Sequence, residues 1–149
     1  KAFLQIKHPV DLKIIGDGPN LYFLKNFVIN NNLSKNIFFL GKLNDVKPEL
    51  NKGSIFISTS KYEGFPNSLI EAMASKMACI HYYYEGLEEI IDNGVNGIIV
   101  YSVEELAFNI NLLLDNSKYR IDLGINAHEF AKKYKLDNIG NMWVDIIAN

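Results

Sequence analysis

Residues 61–74 read KYEGFPNSLIEAMA, and this stretch with its flanks decides the fold. A loop bent by Gly64 and Pro66 leads into an apolar pattern with helical spacing. Short apolar runs lie on either side, at Ser54 to Ser58 and at Ala78 to Tyr82, and both predict β-strands. Strand, loop, helix and strand in this order form the repeating unit of parallel sheets with helices packed on their faces.

The same alternation continues in both directions along the chain. Further strands are predicted at Leu12 to Gly16, Ile37 to Leu40 and Gly97 to Tyr101, all continuously apolar, as in strands covered on both faces. The predicted helices are Leu21 to Asn30, Leu69 to Lys76, a short one near Glu88 to Asp92, Glu104 to Leu114, and Arg120 to Tyr134. We therefore predict the α/β class, with a doubly wound, Rossmann-like parallel sheet.

Composition narrows the classes of function. The 149 residues suit one domain, and a hydrophobic fraction of 48% supplies a sizeable core. A net charge of −2 without a dense basic cluster argues against nucleic-acid binding. Cys79 lies in an apolar run, which predicts a buried structural thiol and a reducing compartment. No signal peptide is visible and no apolar run reaches the roughly 18 residues that span a bilayer. No set of residues has metal-ligand spacing, so we predict no metal and no other cofactor.

Two carboxylates, Glu63 and Glu71, stand on either side of the predicted start of the helix, with seven residues between them. One interpretation is a capping box, in which Ser68 caps the helix, Glu71 reaches back, and Glu63 is a solvated loop residue. The other is a ligand site, because the N–H groups of Asn67, Ser68 and Leu69 would bind an anion. Carboxylates beside an anion site fit a nucleotide sugar, whose diphosphate lies between two groups rich in hydroxyls. The residues alone leave both interpretations open.

Two glycine turns follow predicted strands. The segment IIGDGP at residues 14–19 begins like a dinucleotide fingerprint, but position 21, where the third glycine would stand, is Leu21, so a tight turn is favoured. Gly41 ends the next strand, where it is either a plain turn residue or a point of close approach for a ligand.

Residues 63–73, EGFPNSLIEAM, closely resemble the E-x7-E motif of retaining glycosyltransferases with the GT-B fold, in particular glycosyltransferase family 4. Residues 12–19 (LKIIGDGP) resemble the second strand and following turn of that family, and residues 37–41 (IFFLG) resemble its third strand. Residues 89–100 (EIIDNGVNGIIV) resemble its closing segment. The order and spacing of these pieces together make the resemblance specific.

The resemblance implies a role for each matching position. Glu63 would be the catalytic carboxylate that orients the transferred sugar, Glu71 would accept from the ribose, and the other positions would act mainly through their backbone. The implied contacts are Glu63, Gly64, Phe65 and Pro66 for the donor sugar, Asn67, Ser68 and Leu69 for the diphosphate, Glu71 for the ribose, and Gly41 and Lys42 for the base.

Three segments depart from the family pattern. Lys76-Met77-Ala78 stands where the family usually has Gly-x-Pro, and Glu85-Gly86 stands where it usually has a pair of glycines. The triple Tyr82-Tyr83-Tyr84 before that pair is unusual, and packed or exposed aromatics are its default interpretation. These departures concern the surroundings of the sugar more than those of the nucleotide.

The resemblance also implies the context of the chain. Residues 1–149 would be the nucleotide-sugar-binding, C-terminal half of a GT-B protein, truncated on its N-terminal side and lacking its first strand, which leaves a gap or an altered pairing in the sheet. The partners would be a UDP- or GDP-linked sugar and a missing N-terminal acceptor domain. The full-length protein would be a retaining hexosyltransferase in bacterial polysaccharide or glycolipid assembly, and the isolated chain would be inactive.

The implied location is the cytoplasm, with room for peripheral association at the inner face of the cell membrane. The alternatives are a non-catalytic nucleotide-binding module and a sugar-nucleotide epimerase of GT-B architecture.

Overall fold

Residues 1–134 are described by a computed structural model, and they form parallel strands flanked by helices. The strands are β1 (Leu12–Ile15), β2 (Ile37–Gly41), β3 (Ile55–Ser58), β4 (Ala78–Tyr82) and β5 (Ile98–Val100). The α-helices are α1 (Leu21–Asn30), α2 (Lys47–Leu50), α3 (Asn67–Ala74), α4 (Val103–Asp115) and α5 (Ser117–Ala131), and 3₁₀ turns cover Ala2–Gln5, Leu87–Glu89 and Lys132–Tyr134. The Rossmann-like α/β class predicted from the sequence is confirmed.

The described strands fall into two parallel sheets. β1 pairs with β2, and β4 lies between β3 and β5, with Ser58 beside His81 and Tyr82 beside Val100. Within residues 1–134 no strand pairing joins the two sheets.

An ion pair links the two-stranded sheet to the rest of the described residues. The Lys13 ammonium on β1 lies 2.6 Å from a carboxylate oxygen of Glu49 on α2, and Lys52 lies 2.7 Å from the other oxygen. Hydrogen bonds from Lys13 and Lys52 hold the pKa of Glu49 at about 2, against an ordinary value of 4.5.

The three-stranded sheet carries the core on both of its faces. Alternate residues of β4 and β5 point to opposite sides, so Cys79 and Ile99 join one apolar cluster and Ile80 and Val100 join the other. α3 and part of α5 cover the first face, and α4 with the rest of α5 covers the second. Burial on both faces explains why the strands read as continuous apolar runs. Cys79 is fully buried, as predicted, and burial raises the pKa of its thiol.

Most of the predicted elements are present with shifted ends. The helix predicted to begin at Leu69 begins at Asn67, and the turn near Glu88 is a 3₁₀ turn. α2 was not predicted, because it has four residues with a proline in its first turn and too short an apolar pattern. The part of the predicted domain range beyond residue 134 lies outside the described residues.

Lys76, which stands at the family's usual glycine, has a left-handed backbone with φ of 60°. It follows α3, where Met77 donates from its backbone N–H to the Ala72 carbonyl at 3.1 Å. This is the helix-ending motif that usually places a glycine in the left-handed position. Lys76 therefore preserves the backbone shape of a glycine at a cost in strain.

Candidate functional site

The candidate site lies where β3 and β4 end, at the carboxyl edge of the three-stranded sheet. A loop leaves β3 after Ser58, carries the half-buried Glu63, and turns at the buried Pro66 into α3. His81 on β4 is the register partner of Ser58. In open parallel α/β sheets, this edge is the place where ligands bind.

The capping-box interpretation is wrong. α3 begins at Asn67, so Ser68 lies inside the first turn, and no side chain caps the helix. The Pro66 carbonyl accepts from the N–H groups of Leu69 at 3.0 Å and Ile70 at 3.1 Å, which starts the helix before Ser68 could cap it. Glu71 consequently lies beyond the first turn, with an exposed side chain.

The N–H groups at the start of α3 are not equally free. Asn67 donates to the Phe65 carbonyl at 2.9 Å, and Leu69 donates to Pro66. Ser68 N–H has no acceptor among the described residues. The three free donors expected from the sequence are therefore reduced to one, reinforced by the positive end of the helix dipole.

A buried polar pair lies close enough to Glu63 to feel its charge. His81 and Tyr84 have side chains that are 1% and 8% exposed, and their rings meet edge to face with centroids 5.3 Å apart. The His81 Nδ1–H donates to the Tyr82 carbonyl at 2.6 Å, which leaves Nε2 as the unprotonated nitrogen of the neutral ring. Burial lowers the pKa of His81, and the Tyr82 carbonyl and the Glu63 carboxylate oppose that shift. Burial also raises the pKa of Tyr84, and Glu63 adds to the increase.

The Tyr84 hydroxyl is buried and has no hydrogen-bond partner in the described part of the chain. A buried hydroxyl without a partner costs about 1–3 kcal/mol of stability, so it marks a place where a partner belongs. The sequence singled out Tyr84 only as one of three consecutive tyrosines, and its place beside Glu63 depends on tertiary contacts.

The loop before α3 is held by aromatic contacts from the end of α5. The rings of Phe65 and Tyr134 meet edge to face with centroids 5.6 Å apart, and Tyr134 also packs against Phe130. At the other end of α3, His128 Nδ1 lies 2.8 Å from the Ala74 carbonyl. α5 therefore contacts the end of α3, and the turn after α5 contacts the loop before α3, which local sequence patterns did not reveal.

Gly41 and Lys42 belong to the other sheet. Gly41 has a φ of 68°, which only glycine adopts readily, and its carbonyl accepts from Gly16 N–H at 2.8 Å. Lys42 is exposed. Within residues 1–134, no hydrogen bond joins these two residues to the stretch from Glu63 to Glu71.

A surface depression of about 390 Å³ lies outside this stretch, at the turn after β4 and the end of α5. It is lined by the acidic residues Glu88 and Asp92 together with Asn96 and Phe130, among others. None of the residues that the sequence assigned to a ligand lines it.

Nothing in the described helices is long and apolar enough to cross a bilayer. The described part of the chain likewise contains no group of three His, Cys, Asp or Glu side chains placed to hold a metal ion.

Parallel α/β sheets with flanking helices define a Rossmann-like domain, and acidic groups and a helix N-terminus lie at the carboxyl edge of its three-stranded sheet. The chain belongs to the family described as glycosyl transferases group 1, whose profile matches residues 1–130. Among its relatives is an uncharacterised glycosyltransferase of Methanocaldococcus jannaschii, 35% identical over 128 residues, which cover 83% of this chain and 36% of the relative. Another is a poly(glycerol-phosphate) alpha-glucosyltransferase of Bacillus subtilis, 28% identical over 135 residues, which cover 89% of this chain and 20% of that protein.

Among solved structures, the chain is similar to HepE of Anabaena, crystallised in complex with UDP. The TM-score is 0.89 at 21% identity, over 99% of this chain and 43% of HepE. At that identity the likeness establishes the Rossmann-like fold, as found in GT-B glycosyltransferases. The chain therefore spans well under half the length of each of these three proteins.

Proposed function

We propose that this chain is the donor-binding, C-terminal domain of a retaining hexosyltransferase of glycosyltransferase family 4. The observation that carries the proposal is the arrangement of Glu63 and Glu71 around the N-terminus of α3. The half-buried Glu63 lies in the loop before that helix, and the exposed Glu71 lies on it. The family membership and the UDP complex of HepE support a nucleotide sugar as the ligand.

The nucleotide part of the ligand would bind from α3 toward the two-stranded sheet. The diphosphate lies over the first turn of α3, where Ser68 offers its free N–H and Asn67 and Leu69 contribute through the helix dipole. Glu71 accepts from the ribose hydroxyls. Gly41 and Lys42 face the base, because the left-handed Gly41 lets a ring approach the backbone.

The transferred sugar would lie between the loop and the end of β4. Glu63 accepts from its hydroxyls, and the backbone of Gly64, Phe65 and Pro66 lines it. The Tyr84 hydroxyl, which is buried without a partner, gains one when the sugar binds. Catalysis then rests on orienting the donor and on stabilising the charge of the departing diphosphate.

The full-length protein would add an N-terminal domain that binds the acceptor, together with basic residues that pair with the diphosphate. The coverage of 36% and 43% of the compared proteins supports a second domain of similar size. The isolated chain would then bind donor without transferring sugar. The acceptor would be a polysaccharide or glycolipid. The full-length protein would act in the cytoplasm or at the inner face of the cell membrane.

The test is a panel of nucleotide sugars titrated calorimetrically into the full-length protein, followed by product analysis with the donor that binds. We expect one UDP- or GDP-sugar to bind and to give free nucleoside diphosphate and a glycoside with the anomeric configuration of the donor. Donor recovered with an epimerised sugar would identify an epimerase, and binding without turnover would identify a non-catalytic module. A glycoside of inverted configuration would refute the retaining assignment.

A further inference from the structure

Two exposed tyrosines form a stacked pair beside the candidate site. Tyr83 follows β4 and Tyr101 follows β5, and their rings lie nearly parallel, 29° apart in angle, with centroids separated by 5.1 Å. The pairing of the strands explains the stack, because Tyr82 and Val100 are register partners and Tyr83 N–H donates to the Val100 carbonyl at 2.9 Å. The next residue on each strand therefore projects to the same side. The two side chains remain 39% and 64% exposed.

The pair lies on the side of the sheet that faces the candidate site. Side chains alternate along β4, and Ile80 and Tyr82 belong to the apolar cluster on the opposite face. Tyr83 therefore continues the row that contains His81, the residue that feels the charge of Glu63. The stacked pair lies one strand further from β3 than the candidate site does.

Carboxylates border the aromatic pair. The Glu88 carboxylate, with the negative charge of Glu85 further off, raises the pKa of the Tyr83 hydroxyl. Both glutamates are exposed. Glu88 also lines the depression of about 390 Å³ described above, so the aromatic surface borders a concavity with further hydrogen-bonding side chains.

We propose that Tyr83 and Tyr101 form a platform for a neutral sugar ring of the acceptor, whose hydroxyls donate to Glu85 and Glu88. A pyranose has an apolar face of C–H groups that stacks on an aromatic ring, and hydroxyls at its rim that donate to carboxylates. The charge excludes the obvious rival, because carboxylates disfavour the phosphates of a nucleotide or a polyol-phosphate chain. The assignment of this sugar ring to the acceptor rests on the proposed transferase function. The platform itself rests on the stacked rings and their acidic border.

The probes are neutral trisaccharides of glucose and of N-acetylglucosamine, with a matched trisaccharide that ends in a uronic acid. Binding to the full-length protein is measured by saturation-transfer NMR, and UDP affinity is measured on the same samples by calorimetry. We expect a neutral trisaccharide to bind and the acidic one to bind more weakly. Tyr101→Ala should lower the affinity for the neutral trisaccharide by about threefold to tenfold, which is the scale of one aromatic contact. Tyr101→Phe should retain the affinity, because it keeps the ring.

The matched control is Tyr22→Ala, which removes a tyrosine that is 77% exposed on α1, the helix between the two strands of the other sheet. It should leave trisaccharide affinity unchanged, and an equal loss in both alanine variants would overturn the proposal. So would the absence of trisaccharide binding, or a loss of UDP affinity in Tyr101→Ala, which would make the pair part of a nucleotide site. If the wild-type protein binds no nucleotide while Tyr101→Ala still loses the trisaccharide, the proposed transferase function fails and the platform stands.

Discussion

Replacing Glu71 with alanine should weaken the binding of UDP without destabilising the domain. The proposed partner of the carboxylate is the ribose of the nucleotide. A hydrogen bond to a charged acceptor contributes roughly 1.5–3 kcal/mol. Because Glu71 is exposed in the ligand-free chain, the lower end of that range applies, and about a tenfold loss of affinity follows.

The structure also sets the expected change in stability. If Glu71 belonged to a capping box, its loss would lower the free energy of unfolding by about 0.5–2 kcal/mol. No side chain caps α3, so that contribution is absent. Alanine is also a slightly better helix former than glutamate, so the change should stay within about 0.5 kcal/mol. In Glu71→Ala, UDP affinity should therefore fall while the free energy of unfolding stays nearly unchanged.

The assay is calorimetric titration of UDP and of 2′,3′-dideoxy-UDP into wild type and Glu71→Ala, with thermal melts of both proteins. The dideoxy analogue lacks the ribose hydroxyls, so it should bind the two proteins with the same affinity. Asp122→Ala is the matched control, because it removes an exposed helical carboxylate from α5. Equal UDP affinity in wild type and Glu71→Ala would refute the ribose role. An equal loss for UDP and its dideoxy analogue would show that Glu71 acts on another part of the nucleotide.

Four further outcomes follow. Glu63→Gln should leave UDP affinity nearly unchanged and lower kcat and kcat/KM together, because its partner is the sugar that UDP lacks; normal kcat would make Glu63 a solvated loop residue. Tyr84→Phe should raise the free energy of unfolding in urea by about 1 kcal/mol, since it removes a buried hydroxyl without a partner, and a loss would contradict that description. The two lysines that hold the pKa of Glu49 at about 2 should stabilise the protein fully above about pH 4.5 and progressively less as the pH falls toward 2; melts of Glu49→Gln should lack this acid-dependent loss. Lys76→Gly should stabilise the chain by about 1 kcal/mol, and by more than Asn32→Gly does, because asparagine tolerates the left-handed region better than lysine; equal gains would argue against strain at Lys76.

The elements predicted best from sequence are those whose signals are local. β4 and α1 have their predicted boundaries, because β4 is a continuous apolar run and α1 is an uninterrupted helical pattern between Pro19 and two asparagines. α2 escaped prediction because four residues are too few to show a helical period.

The start of α3 shows where a local signal misleads. Ser68 and Glu71 have the spacing of a capping box, but the backbone decides the outcome. The carbonyl of Pro66 accepts the first helical bonds, so the helix has begun before Ser68 can cap it. Because α3 begins at Asn67, Ser68 lies inside its first turn and its N–H group is a free donor. The early start of the helix therefore rules out the capping box and at the same time leaves a donor for an anion.

The side chains around the proposed sugar position could not be predicted, because they meet through tertiary contacts. Tyr84, which follows β4, is close enough for the charge of Glu63 to raise its pKa, and Tyr134 in the turn after α5 packs against Phe65. In the sequence these residues look like ordinary aromatic residues, because no local pattern marks them as part of the site.

At two departures from the family pattern the backbone keeps its shape while the side chains change. Lys76 takes the left-handed conformation that its position requires, and Gly86 remains glycine with φ of 93°, so the backbone at both places keeps the shape that glycines would give. What changes is the set of side chains at the carboxyl edge, where Glu85 stands exposed beside the stacked ring of Tyr83. On the proposed function, the site keeps the helix N-terminus that would hold a nucleotide and adds charge and aromatic surface beside the position proposed for the transferred sugar. The selectivity of the full-length protein should therefore depend on this edge more than on the helix proposed to hold the diphosphate.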